Sequence, residues 1–138
     1  MPDIRSQRKA YPIDPLIARL PARLAPGAYE PDASRLAEAA LATALFRSVA
    51  GHAVDRFGRP DHLFFYRTPN GTEVDFIVPP GPVAAESRYV DVPTGREARA
   101  MVTNFGGGLL LTRGGIDIQP GVTILPAALF LWLLEQTS

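Results

Sequence analysis

Residues 65 to 78 read Phe65-Tyr66-Arg67-Thr68-Pro69-Asn70-Gly71-Thr72-Glu73-Val74-Asp75-Phe76-Ile77-Val78. Aromatic and apolar runs flank Thr-Pro-Asn-Gly, and Asn-Gly tolerates the positive φ that tight hairpin turns require. The stretch therefore predicts two hairpin strands, Leu63 to Arg67 and Thr72 to Val78. Pro79-Pro80-Gly81-Pro82 stops the second, and a third strand is expected from Val83 to Val90.

Upstream, Leu36, Ala37, Ala40, Leu41, Ala44, Leu45 and Val49 recur at three- and four-residue spacings behind Asp32 or Ser34 as N-cap, with Gly51 as a stop. That pattern predicts an amphipathic helix. The preceding residues 1–31 carry six prolines and read as a leader packed on the domain formed by residues 32–138. Within the leader only Asp14 to Leu20 predicts a short helix, with Pro15 at its first position. Downstream, a helix is expected from Arg96 to about Asn104, stopped by Gly106-Gly107-Gly108. Short strands follow at Leu109 to Thr112 and Val122 to Leu125, then an apolar helix from Pro126 to Glu135. The expected architecture is α/β of the α+β type: helix, three-stranded meander, helix, strand, strand, helix.

Strand alternation sets Glu73, Asp75 and Ile77 on one face of the second strand and Val74, Phe76 and Val78 on the other. Ala84, Glu86 and Arg88 share a face of the third. A turn symmetric about Pro80 and Gly81 sets Asp75 opposite Glu86 and Glu73 opposite Arg88. Two adjacent carboxylates repel, so this arrangement calls for a cation, a raised pKa or solvent exposure. Magnesium, held through one or two carboxylates plus waters, would answer that need and activate water against a phosphodiester. Glu38 of the first helix is placed to close such a site. The same spacing also fits a cross-strand Glu73–Arg88 ion pair with Asp75 and Glu86 on a solvated sheet face.

Composition bounds the function. The 138 residues suffice for one domain, 46% hydrophobic and 20% charged, as in soluble globular proteins. No apolar run reaches the ~18 residues of a membrane span. Fourteen basic and fourteen acidic residues cancel, so DNA contact would need a local basic patch. Without cysteine there are no disulfides and no thiolate metal site, and no secretory signal is evident at the N-terminus, which makes the cytoplasm the expected location. His52 and His62 match no metal-ligand spacing. Arg67 falls on either face depending on the hairpin register. Trp132 lies among Leu129, Phe130, Leu133 and Leu134 as a core or interface anchor, in a helix apolar enough to dock a partner or a second copy.

The order helix, meander, helix, strand, with Glu38 in the first helix, Asp75 on the second strand and Glu86-Ser87-Arg88 on the third, resembles the PD-(D/E)XK nuclease-like fold. Residues 65 to 78 are similar to the Y-x-R-T-x-x-G-x-E-V-D-F stretch in the C-terminal domain of a large prokaryotic family of AAA+ ATPases. Lys9-Ala10-Tyr11-Pro12-Ile13-Asp14-Pro15 resembles that family's K-x-Y-x-x-D-P segment, so the resemblance spans nearly the whole chain. It implies catalytic positions at Asp75, Glu86, Arg88 and Glu38, with Asp75 and Glu86 as magnesium ligands if the site is active. It also implies an ATPase module or DNA as partner. Two features depart from the family pattern. Arg88 stands where lysine is usual, and guanidinium stays charged where an amine can shift its pKa and help deprotonate water. No G-x-x-x-x-G-K-[ST] phosphate loop occurs in these residues. The resemblance therefore predicts a catalytically degenerate recognition module. Its alternatives are an active magnesium-dependent nuclease, in which Arg88 stabilises phosphate, and a structural interaction domain docking through the last helix.

Overall fold

The computed structural model describes residues 9–52, 63–78, 82–94 and 96–137. The leader forms a 3-10 turn, Pro15–Arg19, that runs directly into α1, Leu20–Leu24. Asp14 caps it by accepting the Leu16 amide at 2.9 Å. The long helix α2 spans Ala33–His52, one residue beyond the expected glycine stop. Asp32 Oδ1 accepts the Arg35 amide at 2.9 Å, satisfying one of the donors a helix start leaves unpaired. Asp32→Ala is accordingly expected to cost about 1 kcal/mol of folding stability, read as a fall of roughly 3 °C in Tm.

The strands are β1 (Phe64–Arg67), β2 (Glu73–Val78), β3 (Val83–Arg88), β4 (Gly108–Thr112), β5 (Asp117–Gln119) and β6 (Val122–Pro126); the remaining helices are α3 (Arg99–Phe105) and α4 (Ala127–Thr137). They form one mixed sheet in the order β1-β2-β3-β4-β6-β5. The first three are an antiparallel meander. The crossover through α3 makes β4 parallel to β3, and β6 is parallel to β4. The domain is thus α+β with a six-stranded mixed sheet. Strand β5, antiparallel to β6, was not anticipated, although Ile116-Asp117-Ile118-Gln119 followed by Pro120-Gly121 is a hairpin signal. Helix α3 begins three residues later than expected, after a turn at residues 96–98.

Both sheet faces are covered. On one, Leu41, Ala42 and Leu45 of α2 and Ala127 of α4 bury Phe76, Ala85 and Leu111. On the other, Ala100 and Met101 of α3, with the preceding Ala98, bury Val74, Ala84, Leu110, Val122 and Ile124. The triple glycine after α3 has steric causes. Gly106 takes the left-handed C-cap conformation at φ 75°. At Gly108 a Cβ would fall 2.2 Å from the Ala84 carbonyl oxygen, where β4 closes onto β3. Trp132, expected as a core or interface anchor, is 56% exposed, while Phe130, Leu131 and Leu134 carry the packing of α4.

One irregularity decides the site. Along β1 and β2, Phe64 pairs with Ile77 but Tyr66 pairs with Val74, so Phe65 faces two residues, Asp75 and Phe76. This is a β-bulge, which inserts one residue and breaks side-chain alternation. Val74 joins the α3 side of the core while Phe76 joins the α2 side. The expected single face of Val74, Phe76 and Val78 is therefore corrected to two.

Candidate functional site

Lysine 9 is the chain's sole lysine among thirteen arginines. Its ammonium sits where the leader crosses the bulged end of β2, 2.9 Å from Glu38 Oε1 and 3.0 Å from Asp75 Oδ1, and it also contacts Glu73 Oε1. An ammonium has three donors, and here each meets a different carboxylate. The Phe65 ring lies beneath the same nitrogen, 5.5 Å from its centroid.

Each carboxylate of the cluster has a further partner. Tyr11 donates its hydroxyl to Glu38 Oε1 at 2.6 Å, and its ring packs 6.4 Å from that of Phe76. Arg67 pairs with Glu73 along β1 and β2 and donates Nε and Nη2 to its Oε2 at 3.1 and 2.8 Å. This fixes the register that the sequence left open. Asp75 Oδ2 accepts the Ser87 amide at 2.9 Å. The leader is fastened further along α2, where Thr43 Oγ1 donates to the Pro12 carbonyl at 3.3 Å and Arg47 Nη2 to that of Ile13 at 3.4 Å.

Charges in the cluster shift one another. Burial alone would lower the pKa of Lys9, but the hydrogen bond to Glu73, the charge of Asp75 and the hydrogen bond to Glu38 outweigh it and hold the ammonium well above its ordinary value. Burial and the Glu38 hydrogen bond push the Tyr11 phenol up. Burial works against the Glu73 carboxylate, yet Lys9 and Arg67 bring its pKa below the usual range. Asp75 is more deeply enclosed, and its burial leaves it above that range despite Lys9 and the Ser87 amide.

Glu86 and Arg88 lie elsewhere. The pairs Phe76–Ala85, Ile77–Ala84 and Val78–Val83 keep the register expected of the bend, whose residues 79–81 lie outside the described residues. Along β3 alternation is unbroken. Ala85 faces α2 with Leu111, Ala84 faces α3, and Glu86, paired with Leu110, follows Ala84. The bulge turns Asp75 to the α2 side, so Asp75 and Glu86 do not sit side by side but are separated by the sheet. Beside Asp75, β3 instead presents Ala85 and the Ser87 amide. The expected Glu73–Arg88 pairing gives way to Glu73 with Lys9 and Arg67, and to Arg88 Nη2 with Glu86 Oε1 at 2.6 Å.

Glu86 is 1% exposed, and its Oε2 has no hydrogen-bond partner. Burial, only partly offset by Arg88, pushes its pKa up to about 7. The charges of Asp75 and Glu97 act in the same direction.

Of the sequence-predicted residues, the structure thus joins Glu38 and Asp75, and separately Glu86 and Arg88. Lys9, Tyr11 and Glu73 complete the first group. Lys9 and Tyr11 were visible only as part of the leader segment, and the signal that could have singled Lys9 out was its uniqueness among arginines. His62 lies outside the described residues, as does the His52 side chain. Among the described residues no group of three or more acids or histidines is arranged to hold a metal ion, and no helix is long and apolar enough to cross a membrane. The class defined by fold and site is an α+β domain with a mixed sheet and a half-buried lysine–carboxylate cluster. Comparisons with protein-family models, curated proteins and solved structures returned no match.

Proposed function

We propose that this chain is a non-catalytic, nuclease-like accessory module for an ATPase partner, in which the acid cluster serves as a structural clamp. The nuclease-like reading is supported by the chain order helix, antiparallel meander, crossover helix and parallel strand. The ATPase partner is supported by the resemblance of residues 65 to 78 and 9 to 15 to the C-terminal domain of AAA+ ATPases.

The observation that carries the non-catalytic reading is the Lys9 ammonium among Glu38, Glu73 and Asp75. A magnesium site needs carboxylate lone pairs open to the ion and its waters. Here Asp75 spends one oxygen on Lys9 and the other on the Ser87 amide. Glu86, the second expected ligand, is on the opposite side of the sheet. These residues do not fit a divalent ion, and no hydrolytic step is derived through one. The ammonium supplies positive charge internally, and the cluster joins the leader to α2 and β2.

Calorimetry with magnesium and manganese, together with incubation of plasmid DNA in either metal, tests the proposal. Neither a saturable heat of binding nor cleavage above the buffer rate is expected. Cleavage that disappears in both Asp75→Asn and Glu86→Gln would establish the active nuclease instead.

A further inference from the structure

The helical segment at residues 15–24 wears its amphipathicity inside out. Its less exposed positions include Pro15, Ala18 and Ala22. The large side chains Ile13, Leu16, Ile17, Leu20 and Leu24 are between 45 and 80% exposed. Leu16, Ile17, Leu20 and Leu24, at spacings of one, three and four residues, form one stripe along the helical segment, and Ile13 lies just ahead of its capping residue Asp14. A helix that turns its small residues to its own domain and its large aliphatic residues outward is shaped for another surface. Together these side chains expose on the order of 600 Å², at the upper end of the roughly 300 to 600 Å² that the largest apolar patch of a monomer ordinarily reaches. A standard interface takes about 800 Å² from each partner.

From these features we infer that a second copy of this chain covers the stripe, with the two segments packed antiparallel about a two-fold axis between Ala18 and Arg19. That axis matches the stripe to itself. Ile17 meets Leu20 of the other copy, and Leu16 packs over Pro21. A two-fold interface requires such self-complementarity. The same operation sets Asp14 of each copy beside Arg23 of the other. Asp14 uses Oδ1 for its cap, and Arg23 has no ion-pair partner among the described residues. Arg19 is held by Glu30 within its own chain, at 2.7 Å, and stays at the rim. Charge pairing across the ends selects the antiparallel arrangement, since a parallel one would stack like charges.

Sedimentation equilibrium of the full chain tests the inference. A dimer is expected at concentrations of about 10 to 100 μM, within the range of interfaces this small. Leu20→Glu should convert it to monomer with an unchanged far-ultraviolet circular dichroism spectrum. Leu24→Lys, at the freely exposed end of the stripe, provides a second disruption should Leu20→Glu fail to fold. Arg23→Glu should weaken the dimer about tenfold. Adding Asp14→Asn, which keeps a capping side chain but removes the repulsion, should recover most of that loss. A wild-type chain that stays monomeric at 100 μM overturns the inference. So does a dimer that survives both Leu20→Glu and Leu24→Lys, or one that dissociates only on Trp132→Ala.

Discussion

Replacing Lys9 by methionine is expected to destabilise the fold by about 3 kcal/mol at pH 7, lowering Tm by roughly 10 °C. The side chain is of similar length, so packing along the leader is nearly kept. What disappears is the ammonium shared by Glu38, Glu73 and Asp75. The three carboxylates then face one another with Arg67, on the far oxygen of Glu73, as the neighbouring cation and with the Tyr11 hydroxyl and Ser87 amide as neutral donors. Removing the shared partner of a half-buried carboxylate cluster costs more than the contacts are worth, because Asp75 above all stays desolvated. An exposed surface pair would cost less than about 1 kcal/mol. The size of the loss therefore distinguishes a clamp from a decorative contact.

The loss should also depend on pH in a definite sense. Glu73 has a lowered folded pKa, so its ion pairs stabilise above its unfolded value, and that stabilisation is lost as pH falls through the folded value. Near pH 4 the unpaired acids of the methionine variant take up protons, and the difference from wild type should shrink. Chemical denaturation at pH 7.5 and pH 4 measures both values. Equal losses at the two pH values would assign the effect to packing.

A second large effect is expected at Glu86, with the opposite sign. Glu86→Gln should stabilise the domain by up to about 3 kcal/mol at pH 8 to 9 and by less than about 1 kcal/mol at pH 5. The wild-type group has a folded pKa near 7 against 4.5 for the free side chain. Between these values the folded state holds the proton more tightly than the unfolded state, so stability declines as pH rises. Above pH 7 the full cost of the buried charge is present. Glutamine keeps a carbonyl oxygen for Arg88 and carries no charge into the α3 side of the core. Thermal unfolding from pH 5 to 9 should show the two proteins diverging as pH rises. Parallel curves would mean that Glu86 is ionised at little cost, with Arg88 and water compensating it.

The sequence carried the elements better than it carried the faces. The 33–52 helix was legible because its apolar spacing and the Asp32 cap are local. The β1–β2 hairpin was legible because Asn70-Gly71 sets its turn, with Gly71 at φ 82°. The convergence of Glu38 and Asp75 was also anticipated. The sidedness of Asp75 was not. Glu73 to Val78 reads as an uninterrupted strand, and nothing in those six residues announces that Phe65 will stand opposite two of them. A bulge is set by pairing with a neighbouring strand and by the demand that both Val74 and Phe76 be buried under different helices. It is a tertiary choice, and it moved one carboxylate through the sheet. Lys9 was missed for a related reason, because a residue 66 positions from Asp75 becomes its partner only once the leader is laid across the fold.

The central claim is that one ammonium holds the acids of α2 and β2 together and joins them to the leader. A double-mutant cycle pairing Lys9→Met with Asp75→Asn, read by denaturant unfolding at pH 7, tests it most directly. The account predicts a coupling of about 2 kcal/mol, with the double variant losing far less than the sum of the singles. Additive losses, within about 0.3 kcal/mol, would contradict it.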